Sequence, residues 1–548
     1  MVRPLPARNP FTDPFWLAGA DGVLRMPQCA SCDEIRHPSS TICRTCQSSE
    51  TRWVDLPGTG VVAGFSVNHQ PFLPGFPPPY VVAIVELDGT GGGDDEVVRL
   101  TTNVVDVEPD DVRVGMPVTV RFEQQDDVWF PLFAPTAGPD REVPDSAPRI
   151  AARPPASSER FEDKVAITGV GMSDVGRRLL QSPIALAVAA AHAAIADAGL
   201  TIDEIDGIST YPGAGLPGMS EGGITALETA LRIQPVWFNG GLELPGQGGA
   251  IQAAMLAVAS GLCRHVLCVR TVWEASYSHW LRNGEISAPS GGRVGGEMQW
   301  SIPFGASAAP MWLGMLANNY LHRYGVDRTV FGRIAVTARN GAALNPAAVY
   351  REPLTLDDYF AARMVSSPFG LYDCDVPCDA AVAVIVSAAD AVADAPNGAV
   401  RVRAVGSQMS ERPSFDQGTI SHEPLVFGAA AHMWSRTDLT PADVDVALLY
   451  DGFTFNCLTW LEGLGFCGVG EAADFIGDGS TIAIDGELPL NPHGGQLSAG
   501  RTHGFGFFHE AVTQLRGQAG RRQVADCRVA VVSTGGLAPG GCMLLSRF

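Results

Sequence analysis

Leu200-Thr201-Ile202-Asp203-Glu204-Ile205-Asp206 is matched, in the second half of the same chain, by Leu439-Thr440-Pro441-Ala442-Asp443-Val444-Asp445. Each copy follows a helical pattern and leads into an apolar run that reads as a strand. A second pair lies downstream of the first: Val266-Leu267-Cys268-Val269-Arg270-Thr271 and Val529-Ala530-Val531-Val532-Ser533-Thr534. Two segments recurring in the same order read as two halves built on one plan. Strand and helix patterns alternate around them, from residue 163 to 548. Val165-Ala166-Ile167-Thr168-Gly169-Val170-Gly171 is a buried strand ending in a glycine turn, and residues 184 to 198 form an Ala-rich helix. This alternation predicts a parallel sheet with helices on both faces.

Upstream the texture changes. Residues 136–162 carry Pro139, Pro144, Pro148, Pro154 and Pro155 among Ser and Ala, and read as a linker. Residues 51–135 hold short β runs, among them Gly60 to Val67, Tyr80 to Leu87, Val97 to Val104 and Pro117 to Phe122, separated by Gly, Pro and Asp. That spacing predicts a small barrel of the OB type. Residues 1–50 open on a short helical lead at Pro14-Phe15-Trp16-Leu17. Then come two CxxC knuckles, Cys29-Ala-Ser-Cys32 and Cys43-Arg-Thr-Cys46. Four thiolates so spaced suit a tetrahedral Zn²⁺ that is structural, because no position is left open for water.

Composition narrows the function. The chain has 548 residues, 46% hydrophobic, and a net charge of −22. That sign argues against a phosphate-tracking nucleic-acid surface, yet leaves room for one local basic pocket taking coenzyme A. The longest apolar stretch, Ile184 to Leu200, is broken by His192 and Asp197, so no membrane span is expected. The first residues lack a basic n-region and an apolar h-region. Twelve cysteines without such a signal point to a reducing, cytoplasmic setting. Cys263, Cys268, Cys374, Cys378, Cys457, Cys467, Cys527 and Cys542 read as small buried hydrophobes.

Three Gly-rich stretches near strand ends carry the chemistry. Leu448-Leu449-Tyr450-Asp451-Gly452 delivers a Tyr-Asp pair where open α/β sheets bind ligands. Asn491-Pro492-His493-Gly494-Gly495-Gln496-Leu497-Ser498-Ala499-Gly500-Arg501-Thr502-His503-Gly504 sets two histidines and an arginine among glycines. Ser533-Thr534-Gly535-Gly536 offers free N–H groups suited to an oxyanion. His37, His69, His322 and His432 read as structural. Gly218-Met219-Ser220-Glu221-Gly222 matches the nucleophile-elbow pattern, but loop rather than strand precedes it. Ser290-Gly291-Gly292-Arg293-Val294-Gly295-Gly296 lacks the Lys-Ser/Thr of a P-loop and reads as a loop over a pocket.

At these residues a resemblance emerges. Residues 1 to about 135 resemble the zinc-ribbon/OB-fold proteins that partner acyl-CoA-processing thiolase relatives, on Pro14-Phe15-Trp16, the CxxC pairs and Pro78-Pro79-Tyr80-Val81-Val82-Ala83. Residues 163–548 resemble the lipid-transfer-protein branch of the thiolase superfamily, on Leu371-Tyr372-Asp373-Cys374-Asp375-Val376-Pro377-Cys378-Asp379 and Leu461-Glu462-Gly463-Leu464-Gly465-Phe466-Cys467. The resemblance implies a duplicated five-layer α/β/α/β/α fold and pairing of two copies through a strand edge, as a homodimer or larger.

The departures point to the reaction. Pro245 stands where a thiolase has its nucleophilic Cys, Tyr450 where the Asn of Asn-Glu-Ala-Phe stands, and Arg501 in place of the His of Gly-His-Pro. Ser533-Thr534-Gly535-Gly536 replaces Cys-x-Gly-Gly. This pattern is similar to the aldolases of steroid side-chain degradation, which carry Tyr at both the 450 and the 501 positions, so Arg501 departs from that branch too. The resemblance implies cleavage or formation of the C–C bond of a β-hydroxyacyl-CoA without an acyl-cysteine. Tyr450 is the expected base, with Arg501 favouring its tyrosinate or holding the enolate, Asp451 beside it, and His493 or His503 serving as acid. Ser533, Gly535, Gly536, Gly494 and Gly495 are expected at the substrate. Two other readings use the same residues. One is an acyltransferase with Cys457 or Cys467 as a displaced nucleophile, and the other is a non-catalytic acyl-CoA or lipid carrier.

Overall fold

The computed structural model describes the chain except residues 92–96, 144–151, 288–291, 410–415, 417–419, 421–425 and 537–538. Parts of the expected linker and of the Ser290–Gly296 loop, and the two residues that follow Ser533-Thr534-Gly535-Gly536, therefore lie outside the described residues.

Nine strands form the main sheet. Their order is Trp237–Gly240, Gly207–Thr210, His265–Trp273, Asp379–Ala388, Val165–Met172, Val400–Gly406, Gly541–Arg547, Val529–Thr534 and Val446–Leu448. The order is mirrored about its middle, where Val165–Met172 and Val400–Gly406 meet through only two residue pairs. Each half opens on one of those strands and runs outward through an antiparallel neighbour to parallel strands. The sheet is thus mixed rather than parallel throughout. In the first half the antiparallel strand returns only after the long excursion of residues 274–378. In the second half it follows Val529–Thr534 after a short turn.

The echoed segments are structurally equivalent. Thr201 and Glu204 form a reciprocal cap on one 3₁₀ turn, as Thr440 and Asp443 do on the other. Asp206 accepts the backbone N–H groups of Arg264 and His265, and Asp445 those of Arg528 and Val529. In both halves a carboxylate therefore anchors the start of the strand that leads to the site. Helix Pro183–Asp197 covers one half-sheet and Phe427–Trp434 the other. Phe505–Leu515, beside Gly249–Ala259, touches strands of both half-sheets and lies between them. These are the five layers.

The barrel closes as expected of an OB fold. Thr59–Asn68 pairs with Tyr80–Leu87 and with Pro117–Gln125, Tyr80–Leu87 with Arg99–Thr102, and Pro117–Gln125 with Val128–Pro135. A parallel bridge, Val104 to Phe133, completes the circuit. The ribbon hairpin, Leu24–Cys29 against Thr51–Leu56, reaches past the boundary expected at residue 50. The expected linker end at 162 falls within the 3₁₀ turn Phe161–Lys164, where buried Glu162 pairs with Arg436 at 2.7 Å.

The barrel is bound tightly to the larger unit. Its longest strand continues into a pairing of Asn68 with Ser366, on the short strand Met364–Ser366. Asn319 Nδ2 donates to the Ala63 carbonyl at 2.8 Å, and Ser66 Oγ lies 2.7 Å from Ser366 Oγ. Gly64 permits this approach, because a Cβ there would stand 2.6 Å from the Met315 carbonyl of helix Ala309–Tyr324. Trp16, fully buried, stacks on Trp300 with ring centres 5.2 Å apart.

Candidate active site

Tyr450 follows Val446–Leu448 at that strand's C-terminal end, and its N–H donates to Ser533 Oγ at 2.9 Å. The ring is buried, 6.3 Å from the rings of His503 and Phe507. Burial raises its pKa above the usual tyrosine range. The Arg501 charge pulls the other way but is outweighed. Burial thus favours the neutral phenol, which carries a proton to donate.

Arg501 explains why its charge does so little. Its guanidinium meets Glu274 at 2.7 Å and Asp375 at 2.9 Å. Burial opposes the charge, yet these two carboxylates hold the arginine firmly cationic. Burial raises Asp375 to about 7, against the lowering effect of Arg501 and with the help of the Glu274 charge. A carboxylate poised near neutrality is suited to general-base work. The segment is stitched in place by three backbone bonds: Asp375 N–H to Gly452 carbonyl, Val376 N–H to Gln496 carbonyl, and Arg501 N–H to Val376 carbonyl. Two residues upstream, buried Asp373 accepts from Tyr359 Oη, Thr454 Oγ1 and the Gly370 N–H.

His503 has one possible state. Its backbone is left-handed, with φ +52. Nδ1 lies 2.6 Å from Nη2 of Arg270, whose fully buried guanidinium also donates to the Tyr211, Met219 and Thr271 carbonyls. Arginine has donors only, so Nδ1 must present its lone pair and the proton sits on Nε2. Protonation of Nδ1 would set two cations about 3 Å apart, a repulsion on the order of 5 kcal/mol at an effective dielectric constant of 20. Burial and then Arg270 accordingly press the histidine far below its usual pKa. Nε2 lies 3.3 Å from the amide nitrogen of Gln247, in the segment that carries Pro245; a donor cannot accept the Nε2–H, so the amide must be turned over to present Oε1, which has no other partner. His503 is thus a fixed neutral donor and not a proton reservoir.

The other expected residues are tied into the surrounding structure. Asp451, fully buried, accepts from the Gln496 N–H at 2.8 Å and Asn491 Nδ2 at 3.1 Å, and is turned into the protein. His493 lines a separate small cavity of about 30 Å³ with Thr502, His509, Glu510 and Arg522. Burial lowers its pKa to about 3. Gly494 (φ +104) abuts Ala342, and a Cβ at Gly495 would overlap Asp451 Oδ2. Ser533 Oγ accepts the Tyr450 N–H and keeps its own hydroxyl proton to donate. The carbonyls of Gly535 and Gly536 accept from Trp460 Nε1 and Asn456 Nδ2. Of the displaced-nucleophile candidates, Cys457 is fully buried with its thiol pushed well up, and burial holds Cys467 at about 12.

Sequence reasoning passed over Asp375, Glu274, Arg270, Gln247 and Tyr211. Glu274 and Tyr211 directly follow the strands His265–Trp273 and Gly207–Thr210. The strand-end criterion that singles out Tyr450 would have found both. Asp375 stood inside a quoted motif, without a partner in sequence to mark it.

In the ribbon, the four cysteine sulfurs lie within 4.8 Å of one another, with Cys29–Cys46 and Cys32–Cys43 each at 3.5 Å. A tetrahedral zinc with ~2.3 Å bonds needs S–S edges of about 3.8 Å, so the set fits a closed structural site. The Ser31 and Cys46 N–H groups point at the Cys29 and Cys43 sulfurs and would support the bound thiolates.

The chain is similar to known proteins along most of its length. Residues 16–52 match the model "ChsH2, rubredoxin-like zinc ribbon domain", 53–123 "ChsH2, C-terminal OB-fold domain" and 414–544 "Thiolase C-terminal domain-like". A steroid side-chain-cleaving aldolase of Thermomonospora curvata is 33% identical over 384 residues, covering 69% of this chain and 97% of that protein. The 17-hydroxy-3-oxo-4-pregnene-20-carboxyl-CoA lyase of Mycobacterium tuberculosis is also 33% identical, over 70% of this chain and 99% of its own length. Among solved structures, an Ltp2-ChsH2(DUF35) aldolase superposes with a TM-score of 0.61 at 31% identity, covering 70% of this chain and 98% of that one.

Proposed function

The chain belongs to the steroid side-chain-cleaving aldolases of the thiolase superfamily, with a zinc-ribbon/OB unit on the same polypeptide, and on that premise we propose that it cleaves a β-hydroxyacyl-CoA by a non-covalent retro-aldol reaction. The observation that carries the mechanism is the Tyr450–Arg501–Asp375 group in a site whose nucleophile position is Pro245. Asp375 takes the β-hydroxyl proton. The O–H electron pair forms the new C=O, the Cα–Cβ bond breaks, and its electrons pass to the thioester as an enolate. Arg501 stabilises that negative charge, the Tyr450 phenol supplies the proton that converts the enolate to the shorter acyl-CoA, and the proton taken up by Asp375 then restores the phenol, directly or through solvent. His503 Nε2–H is a fixed second donor. The reverse sequence is an aldol addition. Zinc takes no part in these steps; it cross-links the ribbon.

The acyltransferase reading is disfavoured by the depth of Cys457 and by the raised pKa of both Cys457 and half-buried Cys467. A carrier has no need of a carboxylate poised near pH 7. Among the described residues no helix is long and apolar enough to cross a membrane. The free cysteines support a cytoplasmic setting. Trp237–Gly240 forms the outer strand of the first half-sheet, with Phe238 and neighbouring Val236 exposed at 65% and 72%. That free edge supports a homodimer.

The test is product analysis by mass spectrometry after incubation with a panel of β-hydroxyacyl-CoAs, the steroid 17-hydroxy thioester included. A carbonyl compound plus a shortened acyl-CoA is expected, with no mass added to the protein. CoA-dependent acyl transfer, or an acyl group trapped on a cysteine, would refute the assignment.

A further inference from the structure

The proposed steps leave Gln496 unused, although it stands between their acid and their base. It is 1% accessible and lies in the turn Gly495–Ala499. Its N–H donates to Asp451 Oδ1 at 2.8 Å, and its carbonyl accepts the Val376 N–H at 2.9 Å. Asp451 directly follows Tyr450 in sequence, and Val376 directly follows Asp375. Asp375, Val376 and Leu497 line a cavity of about 560 Å³, within the ~300–1,000 Å³ usual for ligand pockets. The main chain of Gln496 is therefore fixed just behind the wall of that cavity.

Nothing comparable holds its side chain. Among the described residues neither Oε1 nor Nε2 has a well-formed hydrogen-bond partner. A buried amide in that condition lowers stability, and an apolar side chain of similar volume would avoid the loss. The group within its reach is the Tyr450 hydroxyl. The Tyr450 ring folds back over Gly452, where a Cβ would stand 3.3 Å from Oη. The Gly452 carbonyl accepts the Asp375 N–H, on the rung next to the one that joins Val376 to Gln496. Burial raises the Tyr450 pKa, while Arg501 and the Gln496 side chain both pull it down. Arg501 is already committed to Glu274 and Asp375, so a tyrosinate at this position calls for a further donor.

We propose that Gln496 is a positioning residue for proton transfer from Tyr450: its Nε2–H donates to Oη, which turns the phenol proton toward the substrate and supports the tyrosinate once that proton has gone. This rests on the aldolase reading, which makes Tyr450 the acid. The phenol oxygen accepts from the amide and keeps its own hydrogen for the enolate carbon. As the O–H bond breaks and the new C–H bond forms, the electron pair left on Oη is met by the amide, which keeps both of its hydrogens. A hydrogen bond to a charged oxygen is stronger than one to a neutral oxygen. The amide therefore stabilises the state after transfer more than the resting state, which is the condition for speeding the step.

Gln496→Leu in the full-length protein tests it, alone and combined with Tyr450→Phe, on a β-hydroxyacyl-CoA that the wild type cleaves. Leucine removes the unpaired amide, so the thermal midpoint should hold or rise. Over the same change kcat should fall about tenfold or more, the scale of a hydrogen bond to a charged group, with KM within about threefold. The solvent deuterium isotope effect on kcat should grow, because proton transfer is the step that is slowed. In the Tyr450→Phe background, with no hydroxyl to act on, Gln496→Leu should change the residual rate by less than about twofold. Gln496→Met, unbranched and of nearly the same length, repeats the measurements if circular dichroism shows that leucine is not accommodated. A kcat within about twofold of wild type in both variants would overturn the proposal. So would an equal loss with and without the Tyr450 hydroxyl, the mark of a packing role. A wild type inert toward the whole substrate panel would instead refute the aldolase reading, and this assignment with it.

Discussion

At Tyr450 a single oxygen separates two roles. Tyr450→Phe keeps the ring against His503 and Phe507 and removes only the hydroxyl, so the thermal midpoint should hold while turnover falls by ~10²–10⁴-fold. Near-wild-type cleavage would move the proton donor to His503. Arg501→Lys keeps a charge between Glu274 and Asp375 but loses the planar fork; it should impair kcat less than Arg501→Ala, which also leaves two carboxylates facing each other. Asp375 gives the pH dependence. With its pKa raised to about 7, it is protonated and idle as a base below that value. kcat/KM should therefore rise through pH 7 and level off above it, and Asp375→Asn should abolish that limb. A limb unchanged in Asp375→Asn would refute Asp375 as the base.

The elements that hold these residues act through short, stiff links. The strand Met364–Ser366 is zipped to the barrel at Asn68, Phe369–Gly370 pairs back on it, and buried Asp373 ties the following turn to Thr454 and Tyr359. Asp375 is the next turn's outcome. The barrel thus supports the wall of the cavity as well as lying near it. The ribbon is a different kind of element, small enough that metal replaces a core. Cys29→Ser should lower zinc content below one per chain by elemental analysis and reduce the soluble yield. A metal-free, folded and equally stable protein would contradict the structural role. Both echoed 3₁₀ turns were legible as sequence because their capping boxes are local, involving residues three apart. The antiparallel strand in each half was not legible, because strand direction is fixed by a partner far away in the chain.

For the whole molecule, the exposed edge at Trp237–Gly240 predicts association: light scattering at micromolar concentration should give twice the monomer mass or more, and a strictly monomeric particle would oppose the homodimer. What the sequence determined by itself is whatever depends on near neighbours or repetition. The two CxxC knuckles, the alternating β runs of the barrel and the echo of residues 200–206 in 439–445 all belong to that class. Tertiary structure decided the protonation states. Tyr450 was an ordinary tyrosine in sequence, and burial made it a firm phenol. His503 was one of two equivalent histidines until Arg270, 233 residues away, took its Nδ1 lone pair. Asp375 became a base candidate only when folding set it in a buried wall 2.9 Å from Arg501. Desolvation and charge pairing depend on what surrounds a group in space, and for these residues the surroundings come from distant parts of the chain.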